Sequence, residues 1–289
     1  MNQILIPVDF SEHADFAAFI GAMIAKKSNS SVHLLHAVDV PFYNETPGDI
    51  KEYLLKDDPL IVTGIREKLD ALSKKDFFKN LNKVTTGIEY GTVYKKILHV
   101  AEEIKADMIV MATHGTNGIS EIVLGSNTEK VVRLSDCPVF AVKYKEDVFE
   151  IKNIVFASNF YQNVSTVFGK IKEFASIFDA KLHLLKVTTP NQFETTQYSE
   201  KLMEDLANEF KLTNFTVNIQ NSLDLERGII QFSNSIGADL IAMTTHGRTG
   251  ISHLFNGSLT EDLVNHNRKP VLSVKLREER MEKGVIFPG

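Results

Sequence analysis

Short, continuously apolar runs alternate along this chain with longer stretches in which apolar residues recur three or four positions apart. In the first half the runs fall at about 3–8, 31–38, 83–90, 107–112 and 138–143, and each predicts a strand. Four helices are predicted between them. The first carries Phe16, Phe19, Ile20, Met23 and Ile24 on one face, behind Ser11 as N-cap and Glu12 in the first turn. Runs such as MIVMA lack the alternation of a half-exposed strand, so both faces should be covered by helices and the pairing should be parallel. The predicted fold class is therefore α/β, an open doubly wound sheet.

The pattern occurs twice. QILIPVDF at 3–10 is answered by NIVFASNF at 153–160, and VHLLHAV at 32–38 by LHLLKVT at 182–188, both at an offset of 150. Further on the offset is 132: ADMIVMATHG at 106–115 matches ADLIAMTTHG at 238–247, and SDCPVFAVK at 135–143 matches NRKPVLSVK at 267–275. The second copy is thus 18 residues shorter between its second and third strands. What it lacks corresponds to the acidic, proline-bearing segment 39–59, read as a long loop or lid of the first copy. The organisation expected is two domains, 1–147 and 148–280, with a tail at 281–289.

The most specific signal follows the fourth strand, as MATHGTNGISEIVLGS at 111–126 and MTTHGRTGISHLFNGS at 243–258. In sheets of this class ligands sit beyond the carboxyl ends of the strands, and these stretches lie on that edge. Gly115, Gly118 and Gly125 let the backbone adopt positive φ and let a ligand approach with no Cβ in the way. Backbone N–H groups of such a loop, the N-terminus of the helix begun by Ser126 and Asn127, and the Ser126 hydroxyl together suit a phosphate. Gly257, Ser258 and Leu259 repeat the arrangement. A single occurrence reads more readily as a tight turn and a helix cap; two with the same spacing favour a ligand loop.

These residues resemble the universal stress protein family in tandem, over nearly the whole chain. The resemblance implies two Rossmann-like or flavodoxin-like domains, each a five-stranded sheet, and a Gly-x2-Gly-x9-Gly-(Ser/Thr) motif after the fourth strand in nucleotide-binding members. The motif falls on Ala112, Gly115, Gly125 and Ser126 in the first copy and on Thr244, Gly247, Gly257 and Ser258 in the second. Its spacing is intact in both copies, and its first glycine is replaced in both. The implied nucleoside contacts are Asp9 with Pro7 beside it, where the second copy has Asn159 and Ala157, and an adenine contact at Ala37 or Val187. Met111, His114 and Met243 complete the implied set, and Arg248 offers the second copy a cation for phosphates. The implied ligand is ATP, with Mg2+ or without, or another adenine nucleotide, and the first copy is the better site because it keeps Asp9 and the smaller Ala112. The last strands, PVFAVK and PVLSVK, are expected to pair with each other in an intramolecular pseudo-dimer, with a homodimer of tandem chains as a further step.

Composition narrows the remaining classes. Hydrophobic residues at 43%, charged residues at 24% and a net charge of −5 describe a globular protein without a basic field for nucleic acid. No apolar run approaches the roughly 20 residues of a membrane span. The N-terminus reads directly as a strand, and the lone Cys137 forms no intramolecular disulfide, so a cytoplasmic location is expected. His114 and His246 lack further ligands at metal spacing; His33, His36 and His183 read as strand-packing residues, and Asp107 and Asp239 as turn residues. Without a lysine-bearing phosphate loop or a nucleophile elbow, catalysis is limited to slow ATP hydrolysis. Two readings stand: a nucleotide-binding regulatory module that signals to an unidentified protein partner, and a ligand-independent, chaperone-like scaffold with degenerate loops.

Overall fold

QILIP at the start of the chain is apolar without alternation, and it becomes an interior strand covered on both faces. The computed structural model describes residues 1–39, 59–113, 126–142, 149–161, 164–190, 194–245 and 269–276. The first half runs β1 (Gln3–Pro7), α1 (Glu12–Ser28), β2 (Ser31–Val38), α2 (Pro59–Ser73), β3 (Val84–Tyr90), α3 (Val93–Glu103), β4 (Met108–Ala112), α4 (Ser126–Leu134) and β5 (Val139–Val142). The second runs β6 (Asn153–Ala157), α5 (Val164–Phe178), β7 (Lys181–Thr188), α6 (Thr196–Glu209), β8 (Phe215–Asn221), α7 (Leu225–Ser235), β9 (Leu240–Thr245) and β10 (Val271–Lys275). The five strands expected in the first half are present within one or two residues of their predicted bounds. Of the expected lid, residues 40–58 lie outside the described residues, and Pro59 opens α2.

The ten strands among the described residues form one sheet, in the order β3-β2-β1-β4-β5-β10-β9-β6-β7-β8. Within each half the pairing is parallel, and the order reverses at β1, which lies between β2 and β4, and at β6, which lies between β7 and β9. The seam between the halves is antiparallel, with Val271 opposite Ala141, Leu272 opposite Phe140 and Ser273 opposite Val139. The expected pairing of the two last strands is therefore present, and it removes an open edge from each half.

One face of the sheet is covered by α1, α2, α5 and α6, whose apolar stripes join a single core running from Ile20 and Leu69 through Phe140 and Phe174 to Met203. On the other face α3 and α4 pack Ile97, Val100, Val131 and Val132 on Leu5, Ile109 and Met111, and Met243 of the second half enters the same cluster. There α7 covers Val155, Leu185, Val187 and Ile241. Both faces thus carry apolar contact across the seam.

The cap expected for α1 is present. Ser11 Oγ accepts from the Ala14 N–H at 3.1 Å, and Asn29 ends α1 in the left-handed region. Asp107 and Asp239 do more than mark turns. Asp107 Oδ2 accepts the backbone N–H groups of Asn2 and Gln3 at 2.5 and 3.0 Å, and Asp239 Oδ2 accepts those of Lys152 and Asn153, both at 2.8 Å. Each carboxylate fastens the start of its half's first strand beside the start of its fourth.

Candidate functional site

At the carboxyl end of β1 the chain turns through Asp9, Phe10 and Ser11 into α1. Asp9 Oδ1 accepts from the Ser11 backbone N–H at 3.0 Å and from its hydroxyl at 2.6 Å, while Ser11 caps the helix. Phe10 is left-handed at φ 63°, and its counterpart Phe160 repeats this at φ 59°. A non-glycine residue there costs roughly 1–2 kcal/mol, so packing has to hold it. Phe10 stacks on His36, ring centres 4.5 Å apart, with the Lys68 ammonium 5.3 Å from its ring, whereas Phe160 is buried against Phe156. His36 Nδ1 donates to the Val8 carbonyl at 2.7 Å, and burial holds its pKa below the ordinary histidine value.

The second half keeps this turn with an amide: Asn159 Oδ1 accepts from the Tyr161 N–H at 3.1 Å, as Asp9 does from Ser11. The surroundings differ. Pro7, Asp9 and Ala37 are all half-buried, so each shows part of itself to solvent at the carboxyl edge. In the second half Ala157 and Val187 are buried at 6% and 7% exposure, and Asn159 stands out in solvent. Ala157 is in register with Met243 on one side and Leu185 on the other.

Met111 and Ala112 end β4, and Thr128 in the first turn of α4 donates its hydroxyl to the Ala112 carbonyl at 2.8 Å. That bond ties the start of α4, where Ser126 is exposed and Asn127 half-buried, to the end of β4. His114, Gly115, Gly118, Gly125, Gly247, Arg248, Gly257, Ser258 and Leu259 lie outside the described residues, as does His246. The structure therefore brings Pro7, Asp9, Ala37, Met111 and Ala112 to one edge of the first half, and Met243 and Val187 to the matching edge of the second.

The remaining titratable candidates are structural. His33 Nδ1 donates to Thr85 Oγ1 at 2.8 Å across the β2–β3 pair, since that hydroxyl's own proton goes to the Val32 carbonyl. His183 sits between Thr216 Oγ1 and Asn153 Oδ1, and Asn153 Oδ1 only accepts, so the ring carries its proton on Nε2. Cys137 is bracketed by Ser135, and burial pushes its thiol pKa up, the opposite of a reactive thiolate. Among the described residues no group of three or more His, Cys, Asp or Glu is placed to hold a metal ion. No described helix is long and apolar enough to cross a membrane.

One cluster escaped the sequence reading. Lys186, in the place of His36, is 7% exposed and forms an ion pair with Glu194, with the rings of Tyr161 and Tyr198 4.7 and 5.9 Å from its ammonium. The available signal was a lysine inside the apolar run LHLLKVT, where the first copy has histidine.

The universal stress protein family model matches residues 1–143 and again 150–275. A universal stress protein of Methanocaldococcus jannaschii is 33% identical over 142 residues, spanning 49% of this chain and 82% of that protein. A second from the same organism is 28% identical over 162 residues, spanning 50% of this chain and 96% of that protein. Each thus corresponds to about half of this chain. The crystal structure of a universal stress protein from Archaeoglobus fulgidus covers 95% of this chain and 96% of its own, with a TM-score of 0.67 at 17% identity, a likeness of fold. The chain belongs to the universal stress protein family, and it carries the family's domain twice.

Proposed function

We propose that the first half is an adenine-nucleotide site, for ATP or a close relative with or without Mg2+, and that the chain works as a regulatory module rather than an enzyme. The observation that carries this reading is the joint, partly open exposure of Pro7, Asp9 and Ala37 at the edge where the strand order reverses. Asp9 is suited to accept hydrogen bonds from the nucleoside, and the strand end at Ala37 offers backbone groups to the base. The glycine spacing of 112–126 and the tie between Thr128 and Ala112 support phosphates placed at the start of α4, where helix N–H groups favour an anion. Ala112 in place of the motif's first glycine adds one methyl, a smaller obstacle than the branched Thr244.

A ligand that spans the ends of β1, β2 and β4 and the start of α4 adds a further tie among four elements, beside the Thr128–Ala112 and His36–Val8 bonds. Its arrival alters the surface above them, which is the signal a protein partner reads. Binding rather than turnover is the activity proposed, because the Ser11 hydroxyl that meets the Asp9 carboxylate is engaged as the cap of α1.

The test is to denature the purified chain, identify any released nucleotide, and titrate ATP, ADP and AMP by calorimetry with and without Mg2+. Binding weakened at least about tenfold by Asp9→Ala, the loss of about 1.4 kcal/mol, is the expected result. No released nucleotide and no heat at about 1 mM ATP sinks the proposal.

A further inference from the structure

The two halves share a backbone but finish their second strand differently. In the first half β2 ends in His36, Ala37 and Val38, all half-buried. In the second, β7 ends in Lys186, Val187 and Thr188, all buried, although the first of them carries a charge. A buried ammonium needs replacements for its water shell. Here they are the Glu194 carboxylate, itself 18% exposed, and the faces of Tyr161 and Tyr198, each still about half open on the outer side. Burial depresses the lysine's pKa, and the carboxylate opposes that by favouring the charged form.

The four groups come from three separate segments. Tyr161 belongs to the turn after β6, and its N–H holds the Asn159 carboxamide. Lys186 lies next to Val187 in β7. Glu194 precedes the α6 cap Thr195, whose hydroxyl accepts from the Tyr198 N–H, and the buried Ser199 hydroxyl reaches Glu194 at 3.4 Å. The cage therefore borders the two positions at which this half was expected to contact a nucleoside: Val187 beside Lys186 is buried, while Asn159, bonded to the Tyr161 N–H, stays exposed. In the first half Ser11 stands at the place of Tyr161 and is spent on capping α1, and His36 is bonded to the Val8 carbonyl.

We infer that the second half is a locked copy, in which Lys186 acts as a built-in ligand that pins the 158–161 turn to the start of α6, keeps the β7 strand end covered, and leaves the chain with one nucleotide site. The count of one rests on the nucleotide reading of the first half; the lock does not. Lys186 and Glu194 are positioning residues on this account, with no part in chemistry.

Two measurements separate the claims. Hydrogen exchange on the ligand-free chain should show amides of 194–200 exchanging at least tenfold faster in Glu194→Gln and in Lys186→Met, with amides of 8–16 unchanged. Glu194→Gln is the gentler variant and keeps the comparison if Lys186→Met fails to fold. Unchanged exchange in 194–200 overturns the lock. Calorimetry of the wild-type chain with ATP should give one site, weakened at least about tenfold by Asp9→Ala. Two sites overturn the closure of the second half. No binding at all overturns the nucleotide reading of the first half and leaves the lock to stand or fall by exchange.

Discussion

The Asp9 carboxylate and the Ser11 hydroxyl meet at 2.6 Å, and the same hydroxyl caps α1 through the Ala14 N–H. The residue proposed to hold the nucleoside therefore also shapes the turn that presents it. The second half shows which part of this an amide preserves, because Asn159 Oδ1 still accepts from the residue two positions on. Asp9→Asn should accordingly unfold within about 0.5 kcal/mol of wild type while losing the charge offered to the ligand, whereas Asp9→Ala should also lose about 1–2 kcal/mol of stability. Denaturant melts beside calorimetric titrations check the split. Equal destabilisation by both variants would mean that the charge itself holds the turn.

Lys105 and Gly237 stand at the same place in the two copies, after α3 and α7, with φ of 51° and 61°. Only the second half uses the residue that adopts this conformation freely. Lys105 is exposed and its left-handed backbone is strained, so Lys105→Gly should stabilise the protein by about 0.5–1 kcal/mol, the relief of strain being partly offset by entropy of the unfolded chain. A rise in the denaturant midpoint at constant m-value is the expected observation.

His33, His36 and His183 are each held below the ordinary histidine pKa of 6.5, chiefly by burial. A depressed histidine favours the neutral form in the folded state, so on acidification the unfolded chain takes up the proton first. The stability these residues contribute is complete above about pH 6.5 and is lost as pH falls from there through their folded values. For His183 the reason is visible, since its Nδ1 is the acceptor of the Thr216 hydroxyl and protonation removes that acceptor. Stability measured between pH 7.5 and 5 should fall, and less steeply in His183→Asn. A flat profile would mean that these histidines are not held below their ordinary pKa in the folded chain.

Phe140 on β5 is fully buried, 5.6 Å from the ring of Phe174 on α5 and 6.2 Å from that of Phe149, and is paired with Leu272 across the seam. Its truncation removes packing on which both halves rely. Phe140→Ala should cost about 3–5 kcal/mol and lower a single unfolding transition seen alike by probes placed in either half. Two separated transitions in the wild-type chain would show that the halves unfold independently.

Much of this molecule is legible before any coordinates. Continuous apolar runs specify interior strands because burial on both faces leaves no place for polar alternation, and Ser11 specifies the start of α1 because its hydroxyl answers an orphan N–H. Self-similarity between QILIPVDF and NIVFASNF tells that the unit occurs twice, and the glycine spacing after β4 points to the carboxyl edge. These are local or periodic properties, and a chain displays them in one dimension.

What the sequence could not display is which copy of the edge stays open. Asp107 looks like a turn residue until its carboxylate is found on Asn2 and Gln3, more than a hundred positions away. Lys186 looks like an oddity in an apolar strand until Glu194, Tyr161 and Tyr198 converge on it from two other segments. The sequence by itself determined the fold, its duplication and the family's motif, because backbone geometry and apolar period suffice for these. The tertiary structure alone decided that Ala37 is accessible and Val187 covered, because burial of a strand end depends on neighbours that the chain brings together only once it has folded.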